Sequence, residues 1–360
     1  MFFSKPKSYL GVNLGAAGIK VVELRLEKKR PVLYTYGFTG ESQSFSAVDG
    51  PFTDEFLTPE RADKYAAILK NTCRACKTTA TQAAVSLPSS EIFHAVVTMP
   101  EVKKEEFNTI LQAEIKKLLP RPIAELSLDY QVLPGPADAK SSRVLVNAVS
   151  RKLVSFYTNI FQKAGLKLDA LEPESSALTR ALVGRDPSVA MIVDMGAQRT
   201  NFFIVEKSVP VTHHSLEVGG EKSNAIMMER LGVSEKMSEQ IKYDISVYLE
   251  QHPNPNFSSE QFLNMFSPLV DPIINEISYG FDTYLHQIGN EKKRPEKVIL
   301  TGGASFLPFL PQLIAQKFQI KCYIGDPWSR VVYQDGLKPV LGLIGPRMAV
   351  AIGLALRGVV

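Results

Sequence analysis

The sequence predicts an α/β fold of two lobes closed around a cleft, and three stretches carry that expectation. Residues 9–24, Tyr-Leu-Gly-Val-Asn-Leu-Gly-Ala-Ala-Gly-Ile-Lys-Val-Val-Glu-Leu, read as an apolar strand, then Asn-x-Gly, then small residues, then a second apolar strand. Residues 191–205 repeat this grammar as Met-Ile-Val-Asp-Met-Gly-Ala-Gln-Arg-Thr-Asn-Phe-Phe-Ile-Val. Residues 297–305, Lys-Val-Ile-Leu-Thr-Gly-Gly-Ala-Ser, run a strand into a double glycine and the expected start of a helix.

These pieces suit phosphate chemistry. A hairpin turn rich in glycine can aim several backbone N–H groups at one point, and such nests bind anions. Asp194, at the end of an apolar strand, can hold a hydrated magnesium ion, because Mg²⁺ takes oxygen ligands and keeps several waters. Thr200 returns a hydroxyl toward the same turn. Gly302 and Gly303 allow a bulky ligand to come close, with the positive end of the expected helix behind them. Any one of these is more often an ordinary turn, but three in order at opposite ends of the chain are hard to dismiss.

Between the motifs the chain alternates strand and helix patterns. Strands are expected at Leu10–Leu14, Lys20–Leu26 and Val32–Phe38, a loop at Glu41–Phe56, a helix at Pro59–Lys77 and a short strand at Ala83–Leu87. A separate unit follows. It reads as strand His94–Met99, amphipathic helix Lys103–Leu119, strand Leu126–Leu133, a turn at Pro134–Ser142, strand Arg143–Ser150 and helix Arg151–Ala164 stopped by Gly165. Then come strand Leu166–Leu171, helix Glu174–Val183, the second hairpin, strand Pro210–Leu216, and Gly219-Gly220 opening a helix at Lys222–Leu231. Helices are expected at Met237–Glu250, Phe262–Gln287 and Pro346–Arg357, with a strand at Lys321–Ile324. The expected organisation is a first-lobe core over 1–87, an inserted α+β subdomain over 88–168, a return to the first lobe over 169–189, a second lobe over 190–335 with a helical subdomain near 217–290, and a terminal helix, 336–360, back in the first lobe.

Composition narrows the function. The 360 residues carry a net charge of +4 with 45% hydrophobic and 22% charged residues, as in an ordinary globular protein. No dense Lys/Arg block points to nucleic acid. No apolar stretch is expected to span a bilayer, and the first residues lack the apolar core of a signal peptide, so a cytoplasmic location is expected. Cys73-Arg-Ala-Cys76 lies in a helical stretch with no second pair, so a metal or redox role is not expected. The remaining cysteine, Cys322, leaves no disulfide framework.

The order of these motifs resembles the actin, heat-shock chaperone and sugar-kinase ATPase superfamily, with an FtsA-type subdomain inserted in the first lobe. Within it the chain is similar to the PilM family of type IV pilus assembly. The resemblance is carried by residues 9–15 with 20–24, Glu114-Ile-Lys-Lys-Leu-Leu-Pro120, Asp129-Tyr-Gln-Val-Leu133, Ala164-Gly-Leu166 with Glu172, Gly219-Gly220, Thr301-Gly-Gly-Ala-Ser-Phe-Leu307, Ile324-Gly-Asp-Pro-Trp328 and the ending Ala351-Ile-Gly-Leu-Ala-Leu-Arg-Gly358. It implies an ATP–Mg²⁺ site. Asn13, Gly15, Ala16, Ala17, Gly18 and Lys20 would form the first phosphate loop. Asp194, Gly196 and Thr200 would form the second, with Asp194 facing Mg²⁺ through water. Gly219, Gly220, Glu239, Lys242, Gly302 and Gly303 would surround ribose and adenine.

Asn13 stands where the superfamily usually has Asp, which puts hydrolysis in doubt; no catalytic residue is assigned. The resemblance further implies a scaffold that docks the cytoplasmic N-terminal tail of a PilN-like inner-membrane protein, meets other pilus platform and motor proteins, and reaches the membrane only through partners. The inserted subdomain would form one wall of the tail groove. Two other functions are weighed. A small-molecule kinase needs a first-lobe carboxylate at the cleft, and Asp129, in the inserted unit, is a poor candidate. A type II secretion platform component would share the fold.

Overall fold

The computed structural model describes residues 7–39, 52–100, 104–119, 121–133, 141–245, 259–287, 290 and 293–359. Residues 41–51 of the loop expected at Glu41–Phe56, residues 134–140 of the turn expected at Pro134–Ser142, Lys103, Pro120 and residues 246–250 of an expected helix lie outside these residues.

The first lobe opens with β1 (Ser8–Gly15), β2 (Gly18–Glu27) and β3 (Arg30–Phe38). The β1–β2 hairpin closes with Gly15 opposite Gly18, so Ala16 and Ala17 form a two-residue turn, and Gly18 adopts φ +99°, open to glycine at no cost. Helix α1 (Pro59–Ala75) starts with proline in its first turn and with the Thr58 hydroxyl accepting from the Arg61 N–H at 3.2 Å, which satisfies an otherwise orphaned donor. Strand β4 (Gln82–Leu87) then runs parallel to β1.

The inserted unit comprises β5 (Ile92–Pro100), α2 (Lys104–Leu118), β6 (Leu126–Val132), β7 (Ser141–Ser150) and α3 (Arg151–Ala164). Its antiparallel sheet has the order β5-β7-β6. Val144 and Val146 of β7 pack under α2 with Leu111 and Ile115, while Leu145, from the opposite face, joins the core of the second lobe. Helix α3 buries Leu153, Phe156, Tyr157, Ile160, Phe161 and Ala164, a continuous i, i+3, i+4 stripe, and packs them with Tyr65 and Leu69 of α1. The unit's second helix therefore belongs to the first-lobe core. Strand β8 (Lys167–Pro173) returns beside β4, giving the order β3-β2-β1-β4-β8. Helix α4 (Glu174–Leu178) follows at once and runs into a π turn over Thr179–Val183.

The second lobe repeats the plan. Strands β9 (Ala190–Met195), β10 (Thr200–Glu206) and β11 (Val209–Leu216) form an antiparallel meander. Helices α5 (Gly220–Leu231), α6 (Glu235–Tyr243), α7 (Ser259–Met265) and α8 (Ser267–Leu285) come next. Strand β12 (Lys297–Thr301), helix α9 (Leu310–Phe318) and β13 (Lys321–Ile324) complete the order β11-β10-β9-β12-β13. Strand for strand this is the first sheet's order and sense, so the repeated grammar is a repeated architecture.

Four expectations are corrected. The helix expected over 262–287 breaks at Phe266, because Pro268 supplies no N–H to continue the ladder and instead opens α8. The double glycine does not start a helix: residues 302–309 form turns, with the Ala304 N–H held by the Met195 carbonyl at 3.0 Å, and α9 begins at Leu310, so no helix N-terminus backs Gly303. The terminal helix, α10 (Lys338–Leu356), starts eight residues before Pro346. Proline deprives only the Gly342 carbonyl of its partner, and Gly342 is exposed to water. Finally, the span Asp335–Leu356 is long and apolar enough to cross a bilayer, contrary to the sequence reading. Two thirds of its most apolar 18-residue stretch is buried, and the helix packs against β1, β2 and α4.

That burial depends on two glycines. A Cβ on Gly11 would lie 2.0 Å from the Ala351 carbonyl, and one on Gly353 would lie 2.0 Å from the Ala177 carbonyl. Both contacts are backbone against backbone, so no side chain can swing aside. Gly353→Ala is expected to cost at least about 1–3 kcal/mol through overpacking; a thermal unfolding midpoint equal to wild type would contradict this packing.

Candidate nucleotide cleft

The register of each hairpin decides which side chains meet. Asn13 lies directly opposite Lys20 across β1–β2, and Asp194 directly opposite Asn201 across β9–β10, so each pair shares a face. A Cβ on Gly15 would touch Lys20 Nζ at 3.2 Å and Asn13 Oδ1 at 3.3 Å, which places both side chains beside the turn. Gly302, at φ +86°, rests against the end of β9, where an added Cβ would lie 2.3 Å from the Met195 carbonyl and 2.7 Å from Asp194 Oδ1. Only glycine fits there. A Cβ on Gly303 would meet nothing closer than the Arg347 guanidinium at 3.9 Å, leaving open space above the turn.

Charge ties the lobes together across this cleft. Lys20 from the first lobe feels Asp194 from the second and Glu174 from the start of α4. Burial and the nearby Arg347 lower its ammonium to about 8, against the pull of both carboxylates. Asp194 is pushed up to about 7 by burial and by Glu174, with Lys20 and Asn201 opposing. Burial also raises Glu174, even though the Ser89 N–H donates to it at 3.3 Å, the Ser89 hydroxyl at 3.2 Å and Asn13 Nδ2 at 3.4 Å. Asn13 further donates to the Ser86 hydroxyl at 3.0 Å. An aspartate at position 13 would repel Glu174; asparagine donates to it.

The opposite wall comes from α5 and α6. Glu239 and Lys242 pair at 2.8 Å, Asn224 Nδ2 donates to Glu239 at 2.6 Å, and Lys242 Nζ reaches the Gly220 carbonyl at 3.5 Å. Burial alone would raise Glu239, but Lys242 and Asn224 outweigh it and hold the carboxyl below its ordinary range. The Ser223 hydroxyl and the Asn224 side-chain carbonyl, on the same helix, are buried with no hydrogen-bond partner among the described residues.

The sequence-derived residues divide into three groups. Asn13, Gly15, Lys20, Asp194, Gly302 and Gly303 converge, and Glu239 and Lys242 meet Gly220 on the facing wall. Gly18 is shaped by the turn, where its carbonyl accepts from Lys20 at 3.4 Å, and Ala16 and Ala17 are its tip. Gly196, Thr200 and Gly219 are built into the support. The Thr200 hydroxyl is fully buried and donates to the Val218 carbonyl at 2.7 Å, away from the turn it was expected to face. The Gly196 and Ala197 carbonyls accept from the Gly220 and Glu221 N–H groups at 2.9 Å each, so the first turn of α5 is already capped. A Cβ on Gly219 would strike the Ala197 carbonyl at 2.6 Å.

Glu174, Arg347, Ser223 and Asn224 were not found from sequence. Glu174 is signalled only by its place where a strand turns into a helix. Arg347 is signalled as one of only two charged residues in α10. Glu174 is a carboxylate close to Lys20 and Asp194, at a position the sequence reading did not weigh.

The family model for type IV pilus assembly protein PilM matches residues 11–359. The chain belongs to the PilM family. Among solved structures, a PilM–PilN type IV pilus biogenesis complex is similar over 99% of this chain and 100% of that one, at 20% identity and a TM-score of 0.78. The ethanolamine utilization protein EutJ from Carboxydothermus hydrogenoformans matches over 98% and 90% at 16% identity and 0.54. A non-polymerising MamK mutant bound to AMPPNP matches over 98% of each at 12% identity and 0.50. These likenesses fix the fold as actin-like. No curated protein matches the chain in sequence.

The raised Asp194 carboxyl has a testable sign. A carboxyl raised from 3.8 to about 7 on folding contributes stability that is fully present below pH ~4 and lost as pH rises through about 7. Asp194→Asn is therefore expected to raise the unfolding temperature at pH 8, with the gain shrinking toward pH 4. A destabilised variant at pH 8 would refute the charge balance described here.

Proposed function

We propose that the chain is a nucleotide-binding scaffold of a type IV pilus inner-membrane platform. The observation that carries this reading is the meeting of both hairpins and the double glycine around Lys20, Asp194 and Arg347. Glycine backbone, Lys20 and Arg347 suit a phosphate chain; the orphaned acceptors at Ser223 and Asn224, beside Glu239 and Lys242, suit ribose hydroxyls and an adenine amine. Asp194 and Glu174 are two oxygen donors held close in a desolvated site, which fits a hydrated Mg²⁺. Such an ion would supply charge neutralisation for both carboxylates and the phosphates.

Family membership supports a PilN-like partner, as does the likeness to a PilM–PilN complex. In this reading residues 88–168 form one wall of a groove for the partner's extended N-terminal tail, and the chain is cytoplasmic, held at the inner membrane through that partner. Strand β6 ends its sheet, with Tyr130 and Val132 exposed along it, a surface of the kind extended peptides join. ATP turnover is slow, because Asn13 supplies no negative charge for an attacking water or a metal, and electrostatic stabilisation is usually the largest catalytic contribution.

Calorimetry is expected to show ATP–Mg²⁺ binding that weakens at least about tenfold, or ~1.4 kcal/mol, in Asp194→Ala. Equal binding by that variant, or none by wild type, defeats the site. Phosphate release is expected well below the ~1–10 s⁻¹ of ordinary enzymes. A PilN-type tail peptide is expected to bind by fluorescence anisotropy, and undiminished binding to a folded chain lacking 88–168 would move the groove elsewhere.

A further inference from the structure

At the end of the first sheet opposite the hairpin turn, a cavity of about 620 Å³ opens between the first residues of β1 and β4 and the last turn of α10. It lies roughly 23 Å from the Ala16-Ala17 turn, counting about 3.3 Å per residue along β1. None of the residues that line it comes from the inserted unit or the second lobe. Among the described residues its walls are charged unevenly: Lys7, Arg25 and Arg357 face it, against the single carboxylate Asp169.

Among the described residues those cations are short of partners. The Arg25 guanidinium stacks 3.3 Å from the centre of the Tyr34 ring and donates to the Thr79 hydroxyl at 3.1 Å, while its Nε is buried with no partner among them. Of the two carboxylates equally near in sequence, Glu23 and Glu27, Glu23 is taken up by Thr79 and Ala80, through contacts of 2.6, 2.6 and 3.3 Å. Lys7 rests over the Tyr9 ring at 5.1 Å and has no carboxylate within ion-pair distance among the described residues. Arg357 reaches Asp169 only at 3.8 Å and Glu172 at 3.6 Å, and both Glu172 oxygens already accept from Arg180 at 2.8 and 2.9 Å. Asp169 sits where the β4–β8 register slips by one residue, and its side chain is 56% exposed.

We propose that this cavity binds an acidic peptide segment of a partner protein, with its carboxylates on Arg25 and Arg357. The volume is in the range of a ligand site and far larger than one phosphate needs. Its lining also includes Tyr9, Leu10, Ala84 and Leu354, apolar residues that suit a peptide in which carboxylates alternate with apolar side chains. Guanidinium groups pair with carboxylates through two parallel hydrogen bonds, and the half-paired Arg357 exchanges a long contact for a short one. The site does not rest on the nucleotide reading and is separate from the proposed tail groove.

The test is fluorescence anisotropy of the full chain with a labelled Glu/Leu decapeptide and with its Gln/Leu counterpart. The Glu peptide is expected to bind, more weakly as salt rises, and the Gln peptide not to bind. Arg25→Gln and Arg357→Gln are each expected to lose about tenfold or more in affinity, while Asp169→Asn gains. Lys116→Gln/Lys117→Gln, on the far helix α2, should change nothing. If Arg25→Gln lowers the melting temperature, Arg357→Gln decides the question. Failure of the Glu peptide to bind, equal loss in the Lys116/Lys117 variant, or displacement by pyrophosphate at equal concentration would each overturn the proposal; the last would mark a site for a simple anion.

Discussion

The cleft is organised by one shared charge. Lys20 of the first lobe feels both Asp194 of the second and Glu174 at the start of α4, and in that low-dielectric setting none of the three is comfortable alone. Two carboxylates near one ammonium leave a net negative pair whose protons are held more tightly than usual, while Arg347 presses on the ammonium from the other side. Everything around serves to hold these groups in place: the Asn13 amide on Glu174, the Ser89 backbone and hydroxyl on the same oxygen, and the glycine at 302 that lets Asp194 lie against the turn. A site strained electrostatically in the free protein is suited to a ligand that brings compensating charge of both signs.

The duplicated sheets make the asymmetry of the two hairpins readable. Position 13 is the counterpart of 194, and position 20 of 201. The second lobe contributes Asp with Asn across from it; the first contributes Asn with Lys across from it. The fold thus presents an anion from one side and a cation from the other. This follows from register alone, because cross-strand neighbours on a pleated surface must share a face.

Most of the fold was legible because the strands are strongly apolar and bounded by glycine, and because α3 carries an unbroken apolar stripe. Stops and starts set by chain-local chemistry, such as Gly165 after α3 at φ +80°, were equally plain. What escaped were features fixed by tertiary contact. Pro346 reads as a helix start, yet the helix runs through it because the freed carbonyl faces water. The double glycine reads as a helix entry, yet the Met195 carbonyl captures the next N–H. The cleft was half legible: motif residues announced themselves by spacing, whereas Glu174 and Arg347 stand in segments whose patterns are those of an ordinary helix start and a core helix. Thr200 shows the opposite failure, a hydroxyl of the right type at the right offset that the Val218 carbonyl claims first.

Helix α10 packs into the first lobe, but the Pro346 carbonyl also accepts from the Gly302 N–H and from the Thr301 hydroxyl, both at 3.1 Å, at the end of β12 in the second lobe. One turn of one helix is therefore clamped by both halves of the molecule. The same helix carries Ala349, Val350 and Leu354 into a buried cluster with Ala190, Ile192 and Ile299 of the second lobe, so the halves share packed core as well as these hydrogen bonds. Arg347, the residue next to the clamp, therefore takes its position from the join between the halves and not from either half alone.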